Sequence, residues 1–273
     1  MSIPDIQSQS DNRKINIDKV GVKSLRYPIL VEDRQNKAQH TVADLNIYVE
    51  LPHHRRGTHM SRFVEILNHY HQDMIIGQLD SFLGELKTVM KAEAAYVDIS
   101  FPYFVRKTAP VSKISSLMCY DCFFNAVLRD EYELWIGVVV PVTTLCPCSK
   151  EISQFGAHNQ RSHITIKLCY SEFVWLEEMI TLAESVASCE IFPLLKRPDE
   201  KYVTERAYNN PRFVEDIVRE LTQGLKADPR VKKFLVEADS FESIHAHNAY
   251  ALVQWDGTDA ANKAPTQAKS RKS

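Results

Sequence analysis

Apolar and polar residues change their spacing several times along this chain, and each change marks an element. In "TVADLNIYVEL" (41–51), Ala43, Leu45, Ile47, Val49 and Leu51 alternate with polar positions, the period of a half-buried antiparallel strand. The preceding "VGVKSLRYPILV" reads as its partner. From Thr58 to Met90 the period becomes helical. Phe63, Ile66, Leu67 and Tyr70 line one face, and Leu79, Phe82, Leu83 and Leu86 continue it beyond a break near Gly77. Alternation returns in "AAYVDISF" and in "YELWIGVVV", so the first half reads as two strands, two helices, two strands.

The second half repeats this order less completely. "HITIKLCY" alternates, with Ile164, Ile166, Leu168 and Tyr170 on one face. "SEFVWLEEMITLAESVA" carries Phe173, Leu176, Ile180, Ala183 and Ala187 at helical spacing. A further helix is expected to start at Asn210-Pro211, an N-cap residue followed by a first-turn proline. Strands around 231–237 and 247–255 close the chain. No sequence repeat is visible, only a repeated order of elements, which makes an α+β protein of two tandem modules, 18–142 and 143–255. Residues 1–17 and the polar tail 256–273 read as disordered.

Composition narrows the function classes. Lys+Arg 33 against Asp+Glu 35 gives no global field to steer the chain to nucleic acid or acidic lipid, so an anionic ligand needs a local basic cluster. The first residues hold no apolar leader, and the longest apolar run, "LWIGVVVPV", falls far short of the ~20 residues a membrane helix needs. A cytoplasmic protein with no membrane or nucleic-acid partner is expected, its six cysteines present as thiols.

Candidate chemistry concentrates in "TLCPCSKEISQFGAHNQRSH" (144–163). Pro147 favours an extended backbone before it, and in an extended segment residues two apart point the same way. Cys146 and Cys148 could thus address one site, completed by His158 after a loop containing Gly156. The spacing is not that of a structural zinc finger, and two buried thiols with a surface histidine remain the plainer alternative. Cys119 and Cys122 have C-x-x-C spacing but no second pair downstream, and read as ordinary thiols, as do Cys169 and Cys189.

"RPDEKYVTERAYNNPRFVED" (197–216) is dense in charge and reads mainly as a solvated loop, although Glu200 could supply a hard oxygen ligand. Glu215 is either functional or the partner of Arg219 in an i,i+4 pair. His245 and His247 share a face of what reads as a strand, which favours metal binding or proton transfer. "HHRRGTHMSR" (53–62) sets Arg55, Arg56, His59 and Arg62 before a helix start, suited to phosphate or simply a basic turn.

Together "PCSKEIS", "GAHNQRS", "RPDEKYVTERAYNNPRFVED", "HAHN" and "RRGTHMSRF" closely resemble the type IB GTP cyclohydrolases, over roughly residues 18–255. The resemblance implies a tunnelling fold, with two modules of antiparallel sheet packed with helix pairs assembling into a barrel-like homotetramer whose sites lie at subunit interfaces. It implies one divalent metal per site (zinc, manganese or iron) on Cys146, His158 and Glu200, with Cys148 beside the substrate. Glu215 would anchor the purine, His245 would transfer protons with His247 its neighbour, and Arg55, Arg56, His59 and Arg62 would hold the triphosphate. The implied reaction takes GTP and water to 7,8-dihydroneopterin triphosphate and formate, opening folate or deazapurine tRNA-base synthesis.

Three rivals stand beside it. A nitrile reductase of the same fold would use Cys148 and Glu215 but leave Cys146, His158 and Glu200 without a shared purpose. A cyclohydrolase making a cyclic phosphate is a close variant. A non-catalytic, metal-stabilised binding module would unfold when stripped of its metal.

Overall fold

A computed structural model describes residues 5–7, 9–70 and 76–258 of the 273. Its strands are β1 (Ile17–Asp33), β2 (Lys37–Leu51), β3 (Ala95–Thr108), β4 (Ser115–Leu128), β5 (Tyr132–Leu145), β6 (Asn159–Tyr170), β7 (Cys189–Glu190), β8 (Val231–Ser240) and β9 (Ala249–Trp255). Its helices are α1 (Met60–His69), α2 (Leu79–Met90), α3 (Pro147–Ile152), α4 (Leu176–Val186), α5 (Arg197–Asn209) and α6 (Val214–Ala227). The strands form one antiparallel sheet in the order β1-β2-β3-β4-β5-β6-β8-β9, with β7 pairing on β5. Every β-ladder is antiparallel, and β1 and β9 are the two edges.

Period-2 alternation decides which sheet face is covered. Ala43 to Leu51 in β2, Val97 to Tyr103 in β3 and Ile164 to Leu168 in β6 put every second residue into the core. Onto that face α1 lays Phe63, Ile66 and Leu67, and α2 lays Leu79, Phe82, Leu83 and Leu86. In the second half α4 contributes Leu176, Met179, Ile180 and Ala183, and α6 contributes Ile217, Val218, Leu221 and Leu225. Each such aliphatic side chain stabilises the fold by about 1.5–3 kcal/mol. The α+β expectation of an antiparallel sheet packed with helices holds. The β1–β2 hairpin arches over the same face to α4, where the Arg34 N–H and the Tyr103 hydroxyl both donate to Glu177, at 3.0 and 2.8 Å.

Several local expectations are corrected. A whole strand, β4, was hidden in "SSLMCYDCFFNAVL", where Cys119 is exposed and Cys122 buried on opposite faces, so the pair cannot share a site. The boundary expected at 142/143 lies inside β5, which runs unbroken through both halves. The charged stretch expected as a loop is α5; only Asp199 and Ala207 are buried in it, so no apolar stripe announced a helix. The last helix begins three residues beyond Asn210-Pro211, capped by Asp216, whose carboxylate accepts the Phe213 N–H at 3.1 Å.

The expected break near Gly77 falls at a short 3-10 turn, Ile76–Gln78. Of the N-terminal segment expected to be disordered, residues 1–4 and 8 lie outside the described residues. Its neighbours are bonded to the chain after β2: Gly57 N–H donates to Gln7 C=O (3.1 Å), Arg56 N–H to Gln9 C=O (3.0 Å) and Asp11 N–H to His54 C=O (3.1 Å). Main-chain bonds of this kind leave no trace in composition. Of the tail, Asp256 to Thr258 are described and 259–273 lie outside the described residues.

Candidate active site

Strand register brings the first two site residues together. Thr144 pairs with Gln160 across β5 and β6, and Leu145 with Asn159. One step on, the Cys146 N–H donates to the His158 C=O at 3.1 Å, so the ladder runs past both strand ends and sets Cys146 opposite His158. Directly opposed residues share a face with Cβ atoms about 4.5–5.5 Å apart. The chain can return this quickly because Gly156, at φ 124°, takes a conformation closed to other residues. Ser149 cinches the loop: its hydroxyl donates to Cys146 C=O (3.2 Å) and accepts the His158 N–H (3.2 Å).

The Cys146–Pro147–Cys148 segment is not extended throughout, as the sequence suggested. Cys146 is the N-cap of α3 and Pro147 starts the helix, where its missing N–H costs nothing. The Cys146 sulfur accepts the Ser149 N–H at 3.5 Å, while Cys148, already in the first turn, is exposed. The two sulfurs therefore leave the backbone in different directions. On α3, Lys150 donates to the Tyr208 C=O at 2.5 Å and lies over the Tyr208 ring, tying α3 to the end of α5.

The third strand of the site is β8. Ser162 pairs with Ser240, and the Phe241 N–H donates to the Arg161 C=O at 3.0 Å, which extends the register and sets Glu242 opposite Gln160. Gln160 Oε1 meets His158 Nδ1 at 2.9 Å, and Gln160 Nε2 donates to Glu242 at 3.3 Å. The His158 and Glu242 side chains are only 11% and 12% exposed, with Glu242 Oε2 3.8 Å from Nδ1. Beneath them Thr144, Ser162 and Ser240 form a buried triangle of hydroxyls at 2.6–3.2 Å. Sequence reasoning missed Gln160 and Glu242; the available signal was that Gln160 stands two residues before Ser162 in an alternating strand and Glu242 two residues after Ser240.

His245 and His247 do meet, but in the loop between β8 and β9 rather than on a strand. Their rings stack at 5.2 Å, and His245 stands edge-on to His158 at 6.4 Å. Both are exposed, so the imidazole pair borders the site from the solvent side.

Glu200 comes from α5, whose start is fixed by its neighbour. Buried Asp199 accepts the Val111 and Ser112 N–H groups (2.8 Å each), the Ser112 hydroxyl (2.6 Å) and the Lys196 N–H (2.9 Å). Burial alone would raise its pKa, but these four donors outweigh it and hold the carboxyl below its ordinary value. Glu200 itself is exposed. It lies one turn before Thr204 and two before Ala207 on the same helix face, and those two residues line a 340 Å³ cleft whose other wall includes Gln160 and Arg161. Among the described residues no three His, Cys, Asp or Glu side chains converge at metal-binding distance, and Glu200 does not close on the Cys146–His158 pair.

Glu215 sits in the first turn of α6, exposed. The alternative pairing with Arg219 is not made; Arg219 leans to Asp216 at 3.9 Å. The Arg212 N–H donates to Leu145 C=O at 3.1 Å, which holds the start of α6 beside the end of β5. Arg55, Arg56, His59 and Arg62 lie elsewhere. They follow β2, whose end pairs with the starts of β1 and β3, at the sheet end opposite to Cys146. A strand as long as β5 spans about 45 Å, so one chain cannot join this cluster to the cysteine. Arg55 donates to Met90 C=O (2.7 Å), Arg56 to Gln9, and His59 lies 3.3 Å from Asp5.

Among the described residues no helix is long and apolar enough to cross a membrane. The fold is shared with urate oxidase from Bacillus sp. TB-90, at a TM-score of 0.50, 10% identity, and coverage of 88% of this chain and 99% of that one. Among curated relatives, a GTP cyclohydrolase FolE2 from Geobacter metallireducens is 54% identical over 255 residues, covering 93% of this chain and 98% of its own length. A GTP cyclohydrolase FolE2 from Dechloromonas aromatica is 52% identical over 256 residues, covering 93% and 95%. The model of one family, described as type I GTP cyclohydrolase folE2, matches residues 3–251. With strand register having set a cysteine opposite a histidine beneath a histidine-lined rim, the chain belongs to the type I GTP cyclohydrolase folE2 family.

Proposed function

We propose that this chain is a metal-dependent GTP cyclohydrolase of the type IB class, taking GTP and water to 7,8-dihydroneopterin triphosphate and formate. The observation that carries the reading is the cross-strand pair Cys146–His158 with His245 6.4 Å away, in a chain of this family. The donor set fits a metal by its chemistry: Cys146 offers a sulfur, His158 opposite it an imidazole nitrogen, and Glu200 on α5 a carboxylate oxygen. Zinc, manganese and iron all accept such mixed ligands. When bound, the metal supplies Lewis-acid activation of water at neutral pH.

The chain's own groups account for the remaining steps. Glu215 accepts the guanine N1–H and 2-amino hydrogens together, a match adenine cannot make. Hydration at C8 leaves a tetrahedral carbon, and breaking its bond to nitrogen needs a proton on the leaving nitrogen. His245, exposed at the rim, is placed to deliver it, with His247 stacked behind. Cys148, exposed beside the site, is a second proton carrier. A further hydration releases C8 as formate, and rearrangement of the ribose with ring closure, losing one water, gives 7,8-dihydroneopterin triphosphate.

The triphosphate falls to Arg55, Arg56, His59 and Arg62 of a neighbouring subunit, because one chain keeps them at the far end of the sheet. Pairing of the free edges β1 and β9 between copies would close a barrel-like homotetramer with sites at its interfaces. A cytoplasmic setting goes with a soluble nucleotide substrate. A nitrile reductase is the poorer reading, since it gives the Cys146–His158 pair no task.

The test is GTP turnover by chelator-stripped protein refilled separately with zinc, manganese or iron, following formate and oxidised-pterin fluorescence alongside circular dichroism. Metal-dependent formate and pterin from a chain that stays folded is the expected result. Inactivity with every metal, together with nicotinamide-dependent reduction of a nitrile, would overturn it. A stripped chain that unfolds would point to the structural-site module, and a cyclic phosphate product to the variant enzyme.

A further inference from the structure

We propose that Gln160 is a positioning residue that fixes His158 as the Nδ1–H tautomer and so presents an unprotonated Nε2. The inference rests on the reading of His158 as a metal ligand. The Gln160 amide has two unlike ends, and its surroundings distinguish them. Three oxygens lie within reach of Nε2: Thr144 Oγ1 at 3.2 Å, Ser240 Oγ at 3.2 Å and Glu242 Oε1 at 3.3 Å. A carboxylate offers only acceptors, so the NH₂ end belongs there. The reversed amide would set its carbonyl oxygen against the Glu242 carboxylate, acceptor against acceptor.

With the NH₂ end so fixed, Gln160 Oε1 faces His158 Nδ1 at 2.9 Å. An amide oxygen can only accept, which requires the proton on Nδ1; in the neutral imidazole Nε2 is then the lone-pair nitrogen. Glu242 Oε2 lies 3.8 Å from the same nitrogen, beyond hydrogen-bond length, so the amide rather than the acid is the direct partner.

The device is built into the sheet. Gln160 is paired with Thr144 on β5 and stands opposite Glu242 beyond β8. The Thr144, Ser162 and Ser240 hydroxyls are each at most 1% exposed and bonded to one another. A buried, mutually bonded network is rigid, and it holds the Gln160 amide in place below the imidazole. Partners of a ligating histidine's second nitrogen characteristically set ring orientation and metal affinity.

Two measurements test this, and the first needs no variant. In metal-free protein with ¹⁵N-labelled histidine, two-bond proton–nitrogen correlations should show His158 protonated on Nδ1; protonation on Nε2 would overturn the proposal. In the second, zinc alone is titrated in competition with a chromogenic chelator. Gln160→Met, similar in volume but unable to accept, should lose ~10–100-fold in zinc affinity. Glu242→Gln combined with Gln160→Glu, which exchanges the amide and the acid, should recover most of it. Unchanged affinity in a folded Gln160→Met, with His158→Ala losing zinc, would overturn the positioning role alone. Full zinc affinity in His158→Ala would overturn the underlying ligand reading and the proposal with it.

Discussion

The Asp199 carboxylate accepts the Ser112 hydroxyl at 2.6 Å, joining the start of α5 to the β3–β4 turn in the other half of the chain. Its neighbour Glu200 thereby gains a fixed base although its own side chain is exposed. Asp199→Ala should lower the melting temperature at neutral pH. Because the folded-state pKa is lowered, the contribution is full above the unfolded value of about 3.9 and fades as pH falls toward the folded one. Melts of both proteins across pH should therefore show a deficit that narrows below about pH 4; a constant deficit would mean that the charge is not involved.

Cys146→Ser and His158→Ala should each empty the protein of metal and abolish GTP turnover while leaving circular dichroism unchanged. Neither side chain belongs to the main hydrophobic cluster. Elemental analysis after dialysis reads the result directly. Metal retained at full stoichiometry in both variants would remove the pair from the ligand set.

Glu215→Gln should cost ~10–100-fold in kcat/KM for GTP, the worth of hydrogen bonds to one charged group. The residue is exposed on α6, so thermal stability should hardly move. An unchanged kcat/KM would transfer guanine recognition to another residue.

Subunit sharing has its own signature. Arg62→Ala and His158→Ala should each be inactive alone, yet unfolding and refolding them as a mixture should restore activity. In some mixed interfaces an intact basic cluster then meets an intact metal pair. If mixing restores nothing, the triphosphate is held within one chain.

The edge strand β1 is sensitive at a single backbone position. A Cβ added at Gly21 would lie 2.0 Å from the Ile47 C=O oxygen and 2.8 Å from the Tyr48 Cα, backbone atoms that cannot rotate away. Gly21→Ala should destabilise by about 1–3 kcal/mol in denaturant titration. A smaller loss would mean that β1 shifts easily on β2.

Alternation and helical stripes made most of the sheet and four of its helices legible, because a half-buried element writes its period into its apolar residues. α5 escaped for the converse reason: it covers almost nothing apolar, so its periodicity is invisible and its charges mimic a loop. β4 buries an alternating face, Met118, Tyr120, Cys122, Phe124 and Ala126, but its opposite face also carries Leu117, Phe123 and Val127, which blurs the period. In the site, residue types pointed to Cys146, His158 and His245, but the partnership of Gln160 with His158 depends on a β5–β6–β8 register that no single segment contains. Cys148 shows the limit of local rules. An X-Pro step reads as extended, yet the same proline is well suited to begin a helix, and only the cap at Cys146 decides.

The register that extends β8 past Ser240 also sets a timetable. Glu242 and His245 lie near the end of the described chain, and they face residues made long before them. On a ribosome the Cys146–His158 hairpin can close early, since its contacts are local, whereas its wall from β8 waits for almost the whole polypeptide to emerge. A nascent chain would thus carry an exposed thiol and imidazole with no enclosure. The pair gains its full wall only once these last strands have docked.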